Sequence, residues 1–245
     1  PYKVWGGIHL DYEWGYVGWD LFKYYLSKYR KDVEFVEPAW VKIGTTDFSP
    51  YISDALAKKP EAIYSVNWAG GIITQIKQMK LMGAFDKIGA FITPMGAAMD
   101  VLEALGAEYP EGIWASCRYW FQYPPSSLNQ AFVKRFLDKY GHYPHYSSGL
   151  AYSAVYLIKA AVEKAQSLDL DKLIEALEGM VIYAPPGRIW IRPEDHQGMY
   201  DVPYGQITHS PDYPMPIITN WRMVPAELYY RWPPFEPLPK IPPDA

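Results

Sequence analysis

The first half of the chain alternates between short apolar runs and longer amphipathic segments. Five strands are predicted at residues 2–10, 33–43, 61–66, 87–92 and 112–119. Helices are predicted between them at residues 14–29, 48–58, 70–82 and 96–105. Short apolar strands separated by helices are typical of a parallel sheet whose two faces are both covered. The pattern therefore predicts an α/β fold with a doubly wound parallel sheet.

The second half follows a different pattern, in which helices come first and strands follow. Residues 124–141 predict a helix that is capped by Ser126 or Ser127 and ends at Gly141. A long apolar helix is predicted at 148–166, and a shorter one between Asp169, its N-cap, and Gly179. Strands without intervening helices are predicted at residues 187–192, 199–208 and 216–224. One α/β lobe is thus followed by elements that do not complete a second sheet.

Composition and charge narrow the possible functions. The 245 residues are 49% hydrophobic and 20% charged, which is typical of a folded domain. A net charge of −4 gives no general attraction for nucleic acid or for an anionic membrane surface. No apolar run approaches the ~20 residues of a membrane-spanning helix. The sequence therefore predicts no nucleic-acid partner and no direct membrane insertion.

The chain is unusually rich in rings, with 22 Tyr and 10 Trp. Aromatic side chains supply large contact areas at low entropic cost, so the surplus favours rings that line a cleft or an interface. The alternative is a rigid, thermally robust protein that favours rings and prolines for stability. Six prolines among the last thirteen residues, 233–245, predict an extended polyproline arm.

None of the residue patterns that commonly signal catalysis or metal binding is convincing here. His142 and His145 lie in a proline-broken turn without a neighbouring cysteine or carboxylate, so a solvated turn is predicted rather than a zinc site. Asp195 and His196 are adjacent, and adjacent residues on an extended chain point to opposite sides. Cys117 is the only cysteine and lies in an apolar run, which predicts a buried thiol. The sequence therefore predicts no enzyme, no cofactor and no metal.

A better candidate for a functional site is the edge of the sheet where the parallel strands end. Ligands of doubly wound folds bind beyond the carboxyl ends of the strands. The side chains predicted to bind a ligand there are Asp11, Tyr12, Trp14, Asn67, Trp68, Pro94, Met95 and Trp120. Two predicted helices at this edge begin with glycine, which leaves backbone N–H groups available for an oxygen atom. The set suits a small molecule with a flat or apolar body and a polar head, and the alternative is that some rings pack against a neighbouring lobe.

Several segments also carry a resemblance to a known family. The most specific is GTTDFSPYI at residues 44–52, which combines a turn, a helix cap and a proline in the first helical turn. The others are DYEWG (11–15), QIKQMKLMG (75–83), FVKRFLDKYGHYP (132–144), YSAVYLIKAAVEKA (152–165) and PEDHQG (193–198). Together they resemble the type I periplasmic binding proteins of the branched-chain amino acid ABC transporter class, of which leucine/isoleucine/valine-binding proteins are typical. The resemblance runs from residue 2 to about residue 224.

The resemblance implies a fold of two lobes joined by a hinge. It assigns residues 1–122 to the second lobe, 123–147 to a helix of that lobe and a hinge crossing, and 148–183 to helices that return to the first lobe. Residues 184–232 would form late strands and a further hinge crossing, before the arm at 233–245. In the family an N-terminal part of the first lobe precedes these elements, and this chain is expected to lack that part.

The resemblance also assigns roles to three of the residues at the sheet edge. Trp14 stands where relatives place a tyrosine that faces the ligand, and Trp68 lies in the loop that supplies a second aromatic wall. Met95 stands where amino-acid binders place a glutamate that holds the ammonium group of the ligand. Because methionine cannot neutralise a buried ammonium, an aromatic carboxylate, an amide or a hydrophobic amino acid derivative is favoured. The alternative is that a neighbouring carboxylate replaces the glutamate, from Asp11, Glu13 or Asp100.

The implied function is that of an extracytoplasmic solute-binding protein of an ABC importer. Such a protein traps a small polar or aromatic organic ligand between its lobes and passes it to a permease, at a periplasmic or cell-surface location. It meets the membrane only through the permease or through a lipid anchor outside this chain. The alternatives are a ligand sensor of the same fold and, less favoured, a hydrolytic enzyme that uses Asp195 and His196.

Overall fold

The structure, a computed structural model, describes residues 1–235. The described chain divides into two compact units. Unit 1 consists of residues 1–116 and 204–221, and unit 2 consists of residues 117–203 together with the described residues after 221. Most of the predicted polyproline arm, from residue 236 onward, lies outside the described residues.

Unit 1 contains the alternating strands and helices that the first half of the sequence predicts. The strands are β1 (Val4–Leu10), β2 (Glu34–Phe35), β3 (Ala39–Val41), β4 (Ala62–Tyr64), β5 (Ala90–Thr93) and β6 (Trp114–Ser116). The helices are α1 (Glu13–Tyr29), α2 (Ser49–Ala57), α3 (Ala69–Leu81) and α4 (Met99–Leu105), followed by a 3₁₀ turn at Gly106–Glu108. Strands β10 (Val202–Thr208) and β11 (Ile217–Val224) return to the same sheet.

The sheet of unit 1 is largely parallel, with the strand order β11-β10-β6-β5-β4-β1-β2, and β3 also pairs with β1. Strands β1, β4, β5 and β6 are parallel neighbours, whereas β10 runs antiparallel to β6. Consecutive residues of β1 from Trp5 to Leu10 are all buried, which indicates that both faces of the sheet are covered. The predicted doubly wound α/β class is confirmed.

The structure corrects the predicted strand at 33–43. This segment forms two short strands, β2 and β3, on either side of Pro38. Both pair with β1, at Trp5↔Phe35 and at Ile8↔Ala39. Proline has no N–H to donate to a strand ladder, so the pairing is interrupted at this point.

Unit 2 is built mainly from helices and a small antiparallel sheet. Its helices are α5 (Ser127–Tyr140), α6 (Tyr146–Ala165), α7 (Leu170–Leu177) and α8 (Ala226–Tyr229). Its strands are β7 (Val181–Ala184), β8 (Gly187–Ile191) and β9 (Gly198–Met199), which pair in that order. Strand β7 and helix α8 are elements that the sequence analysis did not predict. The predicted strand at 199–208 is divided between β9 and β10.

The helix boundaries of unit 2 follow local sequence signals. Ser126 caps α5 by accepting a hydrogen bond from the backbone N–H of Asn129, and Gly141 ends the helix in the left-handed conformation, with φ of 74°. Asp169 caps α7 by accepting from the N–H of Lys172. Of the two capping serines predicted for α5, Ser126 is therefore the one that acts.

Helices α6 and α7 present apolar side chains to solvent. Val155 and Ile158, at neighbouring positions on one face of α6, are 65% and 59% exposed. A groove of about 280 Å³ is lined by Ala154, Leu157, Ile158, Ile174, Leu177, Ile191 and His196. An exposed apolar surface on a helix favours contact with a further segment or partner.

Candidate ligand-binding rim

The carboxyl ends of β1 and β4 place the first two predicted loops side by side. The strands are parallel neighbours, with Gly7 opposite Tyr64. Beyond them, the backbone N–H of Leu10 donates to the carbonyl oxygen of Val66 at 3.1 Å. We call the surface formed by Asp11, Tyr12, Trp14 and Trp68 the ligand rim. Its position is therefore set by backbone pairing at the end of the sheet.

Two aromatic side chains of the rim are joined by a hydrogen bond across the loops. The indole Nε1–H of Trp68 donates to the hydroxyl oxygen of Tyr12 at 3.1 Å. The ring of Trp14, in the first turn of α1, lies 6.4 Å from that of Tyr12 between centroids. Trp68 is nevertheless 45% exposed. We call these three rings the aromatic platform, since the Tyr12–Trp68 bond fixes the indole while much of its surface stays accessible.

Asp11 supplies the charge at the rim. Its backbone N–H donates to the carbonyl oxygen of Val41 at 2.7 Å, and its side chain is exposed. Its carboxylate accepts a hydrogen bond from the hydroxyl of Tyr16, which raises the pKa of that tyrosine. A carboxylate accepts several hydrogen bonds at once. Asp11 is thus able to meet a donor group of a small molecule at the rim.

Asn67, predicted to bind the ligand directly, lies buried beneath the rim. Its Oδ1 accepts from the backbone N–H of Trp68 at 2.8 Å, and its Nδ2 donates to Oε1 of Gln75 at 3.1 Å. Gln75 was not among the residues predicted from the sequence. Gln75 is buried in α3 together with Ile72, Ile76 and Met79. A glutamine on the apolar face of a helix needs a hydrogen-bond partner, so its position in the sequence could have indicated this role.

The remaining predicted residues occupy different surroundings. Pro94 and Met95 directly follow β5, with Pro94 half-buried and the side chain of Met95 buried. Trp120 belongs to unit 2, is buried, and donates its indole N–H to Oε1 of Gln122 at 3.0 Å. Ligand contact by these three residues stays a prediction.

One expectation about helix starts is wrong. Helix α4 begins at Met99, so Gly96 lies in the preceding turn. A Cβ atom at Gly96 would come within 2.6 Å of Thr93 Cγ2 and 2.7 Å of the Tyr109 hydroxyl, so close packing explains this glycine. At α3, the N–H of Gly71 is already bonded to the carbonyl oxygen of Trp68, at 3.1 Å.

The segment PEDHQG gives its two candidate catalytic residues separate partners. Asp195 pairs with Arg192, its Oδ2 lying 2.6 Å from Nη2, and this guanidinium lowers the pKa of the carboxyl. His196 instead places Nε2 2.9 Å from Oε1 of Glu178. The two side chains therefore have different neighbours, as expected for a polar turn.

His142 and His145, the two histidines considered for a zinc site, also have local partners. Nδ1 of His142 lies 3.0 Å from the carbonyl oxygen of Tyr143, and Nδ1 of His145 accepts from the N–H of Ser147 at the start of α6. Among residues 1–235, no group of three or more His, Cys, Asp or Glu side chains is arranged to hold a metal ion. Within the same range, none of the helices combines the length and apolar character that crossing a bilayer requires.

Comparison with known proteins establishes the family. Residues 2–211 match the family described as periplasmic binding protein, so the chain belongs to that family. The resemblance predicted from the sequence segments is thereby confirmed, together with the type I fold. No curated protein sequence matches the chain.

Solved structures of the same fold extend the comparison. One is an ABC-type branched-chain amino acid transporter from Rhodopseudomonas palustris CGA009, with 26% identity, a TM-score of 0.75, and coverage of 93% of this chain and 61% of that one. Another is a solute binding protein from R. palustris BisB5 in complex with 3,4-dihydroxy benzoic acid. It has 24% identity and a TM-score of 0.78, and the match covers 91% of this chain and 61% of that one. A third is an amino acid ABC transporter substrate-binding protein from Pseudomonas fluorescens Pf-5. It has 21% identity and a TM-score of 0.78, and the match covers 91% of this chain and 60% of that one. The chain thus spans about 60% of the length of these structures.

Proposed function

We propose that the chain acts as part of an extracytoplasmic solute-binding protein of an ABC importer, with unit 1 supplying one wall of the ligand site. The aromatic platform is the observation that carries this proposal. Burying an exposed indole would stabilise the fold by about 2 kcal/mol, yet Trp68 is held at the surface by the Tyr12 hydroxyl. A ring held in place before binding loses less entropy when a ligand stacks on it.

The favoured ligand is a flat aromatic carboxylate or amide. The platform offers ring surfaces, and Asp11 offers a carboxylate for a hydroxyl or amide N–H of the ligand. The relative that holds 3,4-dihydroxy benzoic acid supports this ligand class. In this proposal the two lobes close around the ligand and a permease receives it, at a periplasmic or cell-surface location.

Ligand-observed NMR tests the proposal, because saturation transfer detects weak binding. We expect 3,4-dihydroxybenzoate, benzoate or benzamide to receive saturation from the protein, and Trp68→Ala to weaken the binding at least about ten-fold through loss of ring stacking. Trp232→Ala is the matched control, since Trp232 is 43% exposed and lies in unit 2. Equal affinity of Trp68→Ala and the unmodified chain, or no transfer to any of these compounds from the folded protein, would contradict the proposal.

A further inference from the structure

Three buried polar side chains are linked by hydrogen bonds to the backbone of Trp68. Ser65, Asn67 and Gln75 are all essentially without solvent exposure. Oε1 of Gln75 accepts from Nδ2 of Asn67 at 3.1 Å and lies 2.9 Å from the hydroxyl oxygen of Ser65. A buried polar side chain is costly unless it is hydrogen-bonded, so this cluster persists only because its members satisfy one another.

The cluster connects the core of the sheet to the peptide of Trp68. At one end, the hydroxyl of Ser65 also lies 2.8 Å from the carbonyl oxygen of Ile8, in β1. At the other end, Oδ1 of Asn67 accepts from the backbone N–H of Trp68 at 2.8 Å. Gln75, in the second turn of α3, lies between the two ends. The links therefore run from β1 through Ser65, which directly follows β4, and through Gln75 of α3 to the peptide of Trp68.

The backbone around Trp68 needs such support. Ala69 has a φ of 46°, in the left-handed region that residues with a Cβ atom rarely adopt. A Cβ atom at Gly71 would lie 2.4 Å from Oδ1 of Asn67, so only glycine there lets the Asn67 amide reach the peptide of Trp68. The turn into α3 is consequently shaped around the Asn67 amide.

We infer that Gln75 is a positioning residue for Trp68. By holding the Asn67 amide, Gln75 sets the turn that places the indole N–H within reach of the Tyr12 hydroxyl. Gln75 itself is buried and does not reach the rim surface. The effect on ligand affinity rests on the proposed function, whereas the effect on the position of Trp68 does not.

The test compares two glutamines of the same helix. Gln75→Met preserves the length of the side chain and removes the acceptor for Asn67. Gln78→Met is the matched control, because Gln78 lies one turn further on and bonds a different loop, accepting from the N–H of Phe48 and donating to the carbonyl oxygen of Thr46. A general loss of α3 stability would affect both variants, whereas a loss of positioning would affect only the first.

The position of the indole is read by ¹⁹F NMR of protein labelled with 5-fluorotryptophan. The Trp68 resonance is assigned by its disappearance in Trp68→Phe. We expect Gln75→Met to shift or broaden this resonance and Gln78→Met to leave it unchanged. If Gln75→Met does not fold, Gln75→Leu removes the same acceptor with another apolar side chain. An unchanged Trp68 resonance in the folded variant overturns the inference.

Ligand binding provides a second, separable readout. With 3,4-dihydroxybenzoate as the probe, we expect the dissociation constant to rise about ten-fold in Gln75→Met and to stay the same in Gln78→Met. An unchanged dissociation constant together with a shifted Trp68 resonance contradicts ligand contact by Trp68 and leaves the positioning role of Gln75 supported. If the unmodified chain binds none of the tested compounds, the proposed function fails, and the ¹⁹F comparison alone decides whether Gln75 positions Trp68.

Discussion

His9 makes the stability of unit 1 depend on pH in a defined direction. The side chain lies in β1, fully buried, with its ring centroid 4.9 Å from that of Trp19 and 5.4 Å from that of Trp40. Its Nδ1 accepts from the N–H of Val66 at 3.0 Å, so the ring is neutral in the folded state. Burial, with a smaller contribution from Lys23, lowers the pKa of His9 from 6.5 to about 3.

The size of the effect follows from the two pKa values. The unfolded chain takes up a proton at His9 near pH 6.5, whereas the folded chain does so only near pH 3. The stabilising effect of a neutral His9 is therefore complete above pH 6.5 and is lost progressively as the pH falls toward 3. At about pH 5 the free energy of unfolding should have fallen by about 2 kcal/mol relative to its value at about pH 7.5.

Urea unfolding followed by tryptophan fluorescence measures this difference. His9→Asn retains a side-chain acceptor for the Val66 N–H but has no ring to protonate, so its stability should be lower at both pH values and should change little between them. Equal losses of unfolding free energy in His9→Asn and in the unmodified chain between about pH 7.5 and about pH 5 would show that His9 does not cause the pH dependence.

Three further predictions concern unit 2. Ser126→Ala should lower the free energy of unfolding by about 1 kcal/mol in urea titrations by removing the N-cap of α5, and Ser127→Ala should have a smaller effect. Replacing Val155 and Ile158 together by glutamate should reduce the fluorescence of a bound hydrophobic dye without loss of helical circular dichroism, because both side chains face solvent. Cys117 is buried, which raises its pKa to about 12, so a thiol reagent should modify it only after unfolding, and rapid modification of the native protein would contradict the burial.

The sequence predicted those parts of the fold that depend on neighbouring residues. The order of strands and helices in unit 1 follows from apolar periodicity, which is readable within a window of a dozen residues. The caps at Ser126 and Asp169 were also predicted, because capping involves residues only three positions apart. The boundaries were less accurate, as the division of 33–43 by Pro38 and the start of α4 at Met99 show.

The candidate site was predicted in outline and not in detail. The rule that ligands meet the carboxyl ends of parallel strands led to Tyr12 and Trp68, and the structure joins these two rings. The same rule did not indicate that Asn67 is buried or that its side chain donates a hydrogen bond to Gln75. Burial and hydrogen-bond partners depend on the neighbours that folding brings together, which residue type alone does not specify.

The α/β class, the family and the strand ends at which a ligand site is proposed thus follow from the amino-acid sequence alone. These properties depend on local periodicity and on short motifs. Which side chains meet depends instead on how the whole chain packs. Tyr12 and Trp68 are 56 positions apart, and β10 pairs with β6 at Tyr204↔Ser116 across the whole of α5, α6 and α7. Such contacts form because distant segments share one sheet, so their geometry depends on the packing of the chain as a whole.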